Sequence, residues 1–429
     1  MVDVNLKVGV SVQDITPAVG AQLYGYRPDV FSKSVNDALT ATAVALVTGE
    51  TQALLISVAV CSIQTQMADR IRQEIEKETG VKAEHILLSA FHNHSGPNTT
   101  GGFGWGELDR DYCETVFIPH MIAAAKEAVS CVRPALTGVA AVWSRAGINR
   151  RQYDADGIIR LGQNPWWAYD GNMTVISFRD ADGKTIANLV HYGNHGTAAG
   201  VNTEISRDWA GVMVDALSRE SGAPTAYLQG AEGDTGPRLS NGCTTGDIAS
   251  IYEIGGIAAV DAVQAWRSIK QYADIPLEVK QGQITLPRRD AISLEEAERG
   301  CEAYGDAAVN LNGHMANYYK AVVKAYKDDQ PKEEPLVLQQ TMLCLGDIVM
   351  VPFPFEIFSE ISLRLRKYSP YTYTLCLGLT NGNEGYLPTQ SQLCLGGYEV
   401  LYFETSGVWP LAPDTDTTII QENLRIMEG

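Results

Sequence analysis

The sequence predicts one α/β domain, a mixed-sheet core with flanking helices. Two observations carry this reading. Strand-like and helix-like signals alternate along the first half of the chain, the pattern of layered α/β proteins. Glycine-rich turns carrying His, Asp and Glu follow several apolar strand-like runs, and open α/β sheets place their sites at the carboxyl ends of strands. With 429 residues, 45% hydrophobic and 20% charged, the chain can bury a large core. We read it as a single domain over residues 1–429.

Taken in order, Met1–Lys7 has no basic or apolar leader segment, so no signal peptide is expected. It runs into a strand at residues 8–12. Residues 41–47 and 53–60 read as strands around the turn Thr48-Gly49-Glu50. Residues 64–78 form an amphipathic helix, with Met67, Ile71 and Ile75 on one stripe. A short buried strand spans 86–90. Residues 109–132 form a helix that Pro119 must kink or split. Strands follow at 136–143, 173–178 and 186–192, then a helix at 209–220, a strand at 226–229 and an Ala-rich helix at 248–270. A β-rich piece covers 275–286. The capping box Ser293-Leu294-Glu295-Glu296 opens a helical insertion at about 293–334, broken by Gly300, Gly305 and Gly313, which reads as a surface element or lid. Strands at 338–345 and 348–351, a helix at 355–366 and a strand at 373–379 complete the core.

The net charge of −18 lacks the clustered cations that nucleic acid or an anionic membrane surface would require. No apolar run reaches the length of a membrane span. The eight cysteines are scattered without a C-x-x-C pair and read as thiols of a reducing cytoplasm. The expected partner is a small-molecule substrate, and a homo-oligomer is possible.

Seven histidines occur, and four fall into two clusters, His92/His94 and His191/His195. Each cluster ends an apolar strand-like run, and the first is turned at once by Ser95-Gly96-Pro97. Neutral imidazole is the commonest metal ligand, so two clusters at strand ends point to a zinc site. Three more stretches put polar residues at strand ends: Gly230–Arg238 with Glu232 and Asp234, the run Pro352-Phe353-Pro354-Phe355-Glu356, and the loop Thr380–Thr389. Glu356 reads as opening a helix, where an acid also simply complements the helix dipole. Trp105 and Trp166, in the aromatic runs 103–105 and 166–169, read either as a carbohydrate-stacking surface or as loop anchors.

In order, these blocks resemble the catalytic domain of the neutral (alkaline, non-lysosomal) ceramidase family, with its H-T-H-S-G-P, N/A-x-H-x-T, G-D/N-x-S-P-N, P-G-E-F and N-x-Y-x-x-Y-x-T-T blocks. The resemblance runs from Val8 to about Glu399. It implies a neutral-ceramidase-like fold and a zinc ion (Zn2+) held by His92, His195, Glu356 and Tyr386. It also implies a catalytic role for His94 and a substrate-side arginine at Arg150. Such a set leaves an open position on zinc for water or a substrate oxygen. The chain departs from the family at the serine of G-D/N-x-S-P-N, which falls on Gly236; Phe355 and Arg238 replace the family's glycine and asparagine. The family's C-terminal immunoglobulin-like domain is expected to be absent.

The reading that follows is a zinc-dependent hydrolase in which a metal-activated water attacks an amide, ester or lactone of a small, polar, anionic substrate rather than ceramide. His94 or Asp234 would shuttle the proton, Tyr386 would assist, Arg150 and Arg238 would hold the anionic group, and Trp105 and Trp166 would contact the substrate. A metal-dependent lyase or isomerase acting on a carbohydrate or uronic acid, and a non-catalytic metal-binding paralogue, are the alternatives.

Overall fold

The computed structural model describes residues 4–102 and 104–429. Three sheets carry the fold. The first has five strands in the order Ile86–Ala90, Thr51–Val58, Thr40–Thr48, Leu6–Asp14 and Arg133–Pro134; the second has Thr225–Gln229, Thr185–Tyr192, Asn172–Arg179 and Leu136–Trp143; the third has Leu277–Leu286, Leu336–Leu345, Ile348–Pro352 and Tyr373–Leu377. Most neighbours are antiparallel. Each sheet also holds one parallel pair: Thr51–Val58 with Ile86–Ala90, Thr185–Tyr192 with Thr225–Gln229, and Ile348–Pro352 with Tyr373–Leu377. Parallel neighbours end on the same edge, so the loops after each pair emerge side by side.

The strand Thr40–Thr48 shows how the layers pack. Successive side chains point to opposite faces. Val44 and Leu46 join a cluster with Leu189, Leu228 and Leu343, where the sheets meet face to face. Ala41, Ala43 and Ala45 join the cluster under the helices Thr65–Thr79 and Ile118–Ser130. A strand buried on both faces reads as the continuous apolar run found in its sequence.

The mixed sheets and flanking helices agree with the architecture read from the sequence, and local differences have clear causes. The expected helix at 109–132 is a short turn Arg110–Tyr112, a π-helical segment Cys113–Phe117 and the helix Ile118–Ser130. The backbone stays helical through all three pieces, so Pro119 lies inside the run, and the π-helical turn just before it is where the helix accommodates the lost N–H. The insertion is a hairpin of two helices, Leu294–Tyr304 and Asn310–Lys327, with Ser293 capping the first through the Glu296 N–H. Tyr304 stacks on Tyr319 across the hairpin at 5.7 Å. The helix expected to open at Glu356 starts instead at Ser359, and Glu356–Ile357 is a two-residue strand paired in parallel with Tyr386–Leu387. The short strands Gly147–Tyr153, Ile159–Asn164 and Thr235–Pro237, and the C-terminal helices Tyr398–Glu404 and Thr415–Glu428, were not evident from periodicity.

Candidate metal centre

The loops leaving the three parallel pairs are stitched to one another. Ala90 N–H donates to the Leu379 carbonyl at 3.2 Å, Gly378 N–H to the Gln229 carbonyl at 3.0 Å, and Gly233 N–H to the Ile357 carbonyl at 2.9 Å. Gly233 is required there, since a Cβ would stand 2.5 Å from the Glu356 carbonyl oxygen. These contacts bring His92, His195 and Glu356 together, all buried. His92 adopts a left-handed backbone at φ 64°, uncommon outside glycine and typical of positions fixed by their surroundings. The strand thus ends before the histidine pair, and a turn rather than strand alternation brings His94 next to His92, with the two Nε2 atoms 3.4 Å apart.

Backbone carbonyls select the ring tautomers. His92 Nδ1 lies 2.9 Å from the Cys61 carbonyl, and His195 Nδ1 lies 2.7 Å from the Glu232 carbonyl. A carbonyl only accepts, so both Nδ1 atoms carry the proton and both Nε2 lone pairs are free. Each Nε2 lies 3.3 Å from the same oxygen, Glu356 Oε2. Three acceptor atoms therefore face one another in a buried space, and neither His195 Nε2 nor Glu356 Oε2 has a hydrogen-bond partner. Buried groups left in that state are costly unless a cation joins them.

The three groups are strongly coupled, and with no cation between them the pull of Glu356 places a proton on His92 that a bound cation would displace. Burial opposes charging of Glu356, yet the two imidazoles hold its carboxyl well below the usual range. Burial likewise opposes protonation of His92, and the Glu356 carboxylate and Cys61 pull it up. Burial, with the positive charge of Arg150, drives His195 down to about 3. Burial and the two other imidazoles keep His94 well below its ordinary value, so its ring is neutral.

Tyr386 is the register partner of Glu356 and opens onto the same cavity as His92, His94 and Glu356. Arg150 donates to its phenol oxygen at 3.1 Å. Arg150 and Arg151 share Glu399, at 2.9 Å and 2.6 Å, in a fully buried triad. Arg150 was expected to hold an anionic substrate group. Its Nε and one terminal nitrogen are instead spent on Glu399 and Tyr386, and it does not line the cavity. Asp234, expected as a proton shuttle, accepts from Ser359 N–H and Oγ–H and from Asn149. It satisfies the first N–H of the helix Ser359–Tyr368 from across the fold, and burial pushes it up to about 6. Arg238 lies over the Tyr169 ring and Trp166 is 90% exposed, so neither forms part of the cavity wall. Trp105 does line the cavity, while its neighbour Phe103 lies outside the described residues. At Gly236 a Cβ would meet Thr244 Cβ at 2.8 Å, so the strand has closed over the place of the family's serine.

The sequence singled out Asp208 and His191 without fixing a role for either, and it did not show most of the cavity wall. Asp208 accepts from the N–H groups of Ala198, Ala199 and Trp209, and Trp209 Nε1 donates to the His195 carbonyl, which anchors the His195 loop. His191 is a buried sheet residue bonded to the Cys376 carbonyl and takes no part in the centre. Tyr24, Tyr398, Tyr402 and His314 line the cavity. Tyr398-Glu399 stood at the end of the matched blocks without an assigned role, and nothing in its spacing sets His314 apart from an ordinary helix residue.

No family model matches the chain. Neutral ceramidase A from Dictyostelium discoideum is 26% identical over 265 residues, covering 55% of this chain. The match spans 36% of that relative's length. The crystal structure of neutral ceramidase from Pseudomonas aeruginosa superposes with a TM-score of 0.75 at 17% identity, covering 99% of this chain and 74% of that one. A ceramidase complexed with C2 gives 0.71 at 17% identity, covering 98% and 74%.

Proposed function

From a chain that is a neutral-ceramidase-like domain, we propose a zinc-dependent hydrolase acting on a small amide, ester or lactone. One observation carries the reading: the Nε2 atoms of His92 and His195 both face the unpartnered Oε2 of Glu356 at 3.3 Å. Donors around a tetrahedral zinc with bonds of ~2.0–2.1 Å stand ~3.3 Å apart, so the residues fit that ion. Tyr386, which opens onto the same cavity, would be the fourth ligand; burial and the Glu356 carboxylate hold its phenol protonated, and the Arg150 guanidinium beside it opposes them. Zinc held there supplies an acidified water and polarises a carbonyl.

The side chains around it supply the rest. His94 offers the cavity a neutral imidazole for one hydrogen bond to the reacting group. The Cys61 and Glu232 carbonyls keep the ligand rings turned toward the ion. With glycine at residue 236, no hydroxyl stands where the family's serine does, which favours water over a covalent route. The tyrosine and tryptophan rings of the cavity keep a second reading in play, a lyase or isomerase working on a sugar-like substrate.

Metal analysis and turnover test this together. The purified protein should carry about one zinc per chain. His92→Ala and His195→Ala should each lose most of it, and chelation should abolish hydrolysis of activated esters until zinc is returned. A wild-type protein that takes up no zinc, or esterase activity that survives full chelation, sinks the proposal.

A further inference from the structure

Beyond the metal-site residues, the ring-bearing part of the cavity wall is formed by Tyr24, Trp105, His314, Tyr398 and Tyr402. Four segments build this wall, and those carrying Trp105, His314 and Tyr398 lock together. His314, on the hairpin helix Asn310–Lys327, sits 4.5 Å from the Tyr402 ring and bonds Thr405 Oγ1 at 2.8 Å. Trp105 Nε1 donates to Tyr402 Oη at 3.1 Å. Tyr398 and Tyr402 share one helix face, with rings 4.9 Å apart. The hairpin is docked on both partners. Asn310 N–H donates to the Gly104 carbonyl at 3.0 Å, and Leu401 and Val408 pack on Met315, Tyr318 and Val322.

Two properties of this wall restrict what it can hold. The cavity measures about 210 Å³, below the ~300–1,000 Å³ of sites that take drug-sized ligands. Among the described residues no Lys or Arg lines it, and Arg150 beneath Tyr386 is already engaged. Burial keeps the phenols uncharged, raising Tyr402 to about 12 and Tyr24 and Tyr398 higher still. Neutral rings carrying hydroxyl and N–H groups suit a compact uncharged group that is apolar on its faces and polar at its edge.

Resting on the hydrolase reading above, we infer that this aromatic wall is the recognition subsite for the non-reacting end of a short, uncharged acyl compound. His314, brought in by the helical hairpin, sets the limit on its length. Long acyl chains are excluded by the docked hairpin, and groups ending in a carboxylate find no counter-charge. This replaces the anionic substrate expected from the sequence.

Binding of acyl hydroxamates to the zinc-loaded protein tests the inference without requiring turnover. Calorimetry would compare acetohydroxamate, butyrohydroxamate, octanohydroxamate and a four-carbon hydroxamate ending in a carboxylate. The butyryl compound should bind at least about tenfold more tightly than the octanoyl and carboxylate-ended ones. In His314→Ala the ratio of octanohydroxamate to butyrohydroxamate affinity should rise severalfold. The wild-type series stands without any variant, so a poorly folding H314A does not shield the inference. Equal binding of all four, tightest binding of the carboxylate-ended compound, or an unchanged length profile in H314A overturns the subsite and leaves the metal reading standing. Failure of every hydroxamate to bind zinc-loaded protein overturns the hydrolase reading, and the subsite with it.

Discussion

Two histidines four positions apart, His191 and His195, show how residue type underdetermines role. His191 sits within the strand Thr185–Tyr192 and is tied by Nε2 to the Cys376 carbonyl. His195 lies beyond the strand end, with its Nδ1 held by a carbonyl and its Nε2 free. Burial lowers His191 from 6.5 to about 4. The unfolded chain therefore takes up a proton near pH 6.5, while the native state refuses it until about 4. The stability from a neutral His191 is complete above pH 6.5 and is lost as pH falls through that window. At ~1.4 kcal/mol per pH unit the loss reaches about 3 kcal/mol. In His191→Gln, denaturant unfolding should show a shallower decline between pH 6.5 and 4. An unchanged slope would place the titration elsewhere. The sequence brought both histidines forward because their clusters look alike; what separates them is which backbone carbonyl each ring meets, and those carbonyls lie at residues 376 and 232.

At the level of elements, regular pieces were readable and short ones were not. The strand Thr40–Thr48 and the helix Thr65–Thr79 announce themselves by an apolar run or a helical stripe. The strands Glu356–Ile357 and Tyr386–Leu387 are two residues each, too short for any period, yet they align the carboxylate and phenol of the centre. The strand Thr235–Pro237 is similar. Its Gly236 backbone pairs with Ile148, and its missing side chain is filled by Thr244. Gly236→Ser therefore does not recreate a reactive serine. It should cost about 1–3 kcal/mol by overpacking, read by urea unfolding, and leave hydrolysis no faster. Thr244→Ala should restore only part of the loss, because it removes the Cγ2 contact at 2.9 Å but keeps the Cβ contact at 2.8 Å, whereas Thr244→Gly should restore more. A Gly236→Ser protein as stable as the parent would show that the strand yields more readily than its packing implies.

For the molecule as a whole, we propose that the three sheets and the hairpin form one folding unit, since their clusters abut and the centre draws on all three sheets. No helix of the described residues is long and apolar enough to cross a membrane. Residues 330–335 are exposed and without secondary structure, so limited proteolysis should cut there first, leaving a nicked protein that keeps its zinc. Cleavage near residue 150 into two stable halves would defeat the one-unit view. The hairpin was legible as an insertion from its capping box and glycines, but its part in the cavity was not, since docking depends on partners at 104, 401 and 405. The same assembly bears on how the protein is made. The four proposed ligands are spread from residue 92 to residue 386, and each waits on a strand pairing of high contact order. During synthesis an emerging chain has His92 and His195 long before Glu356 and Tyr386, and so would hold no complete cage until residue 386 has left the ribosome. With the proposed cage, tight metal capture would report that all three sheets have formed, and a chain terminated before residue 386 would be marked by its failure to retain the ion.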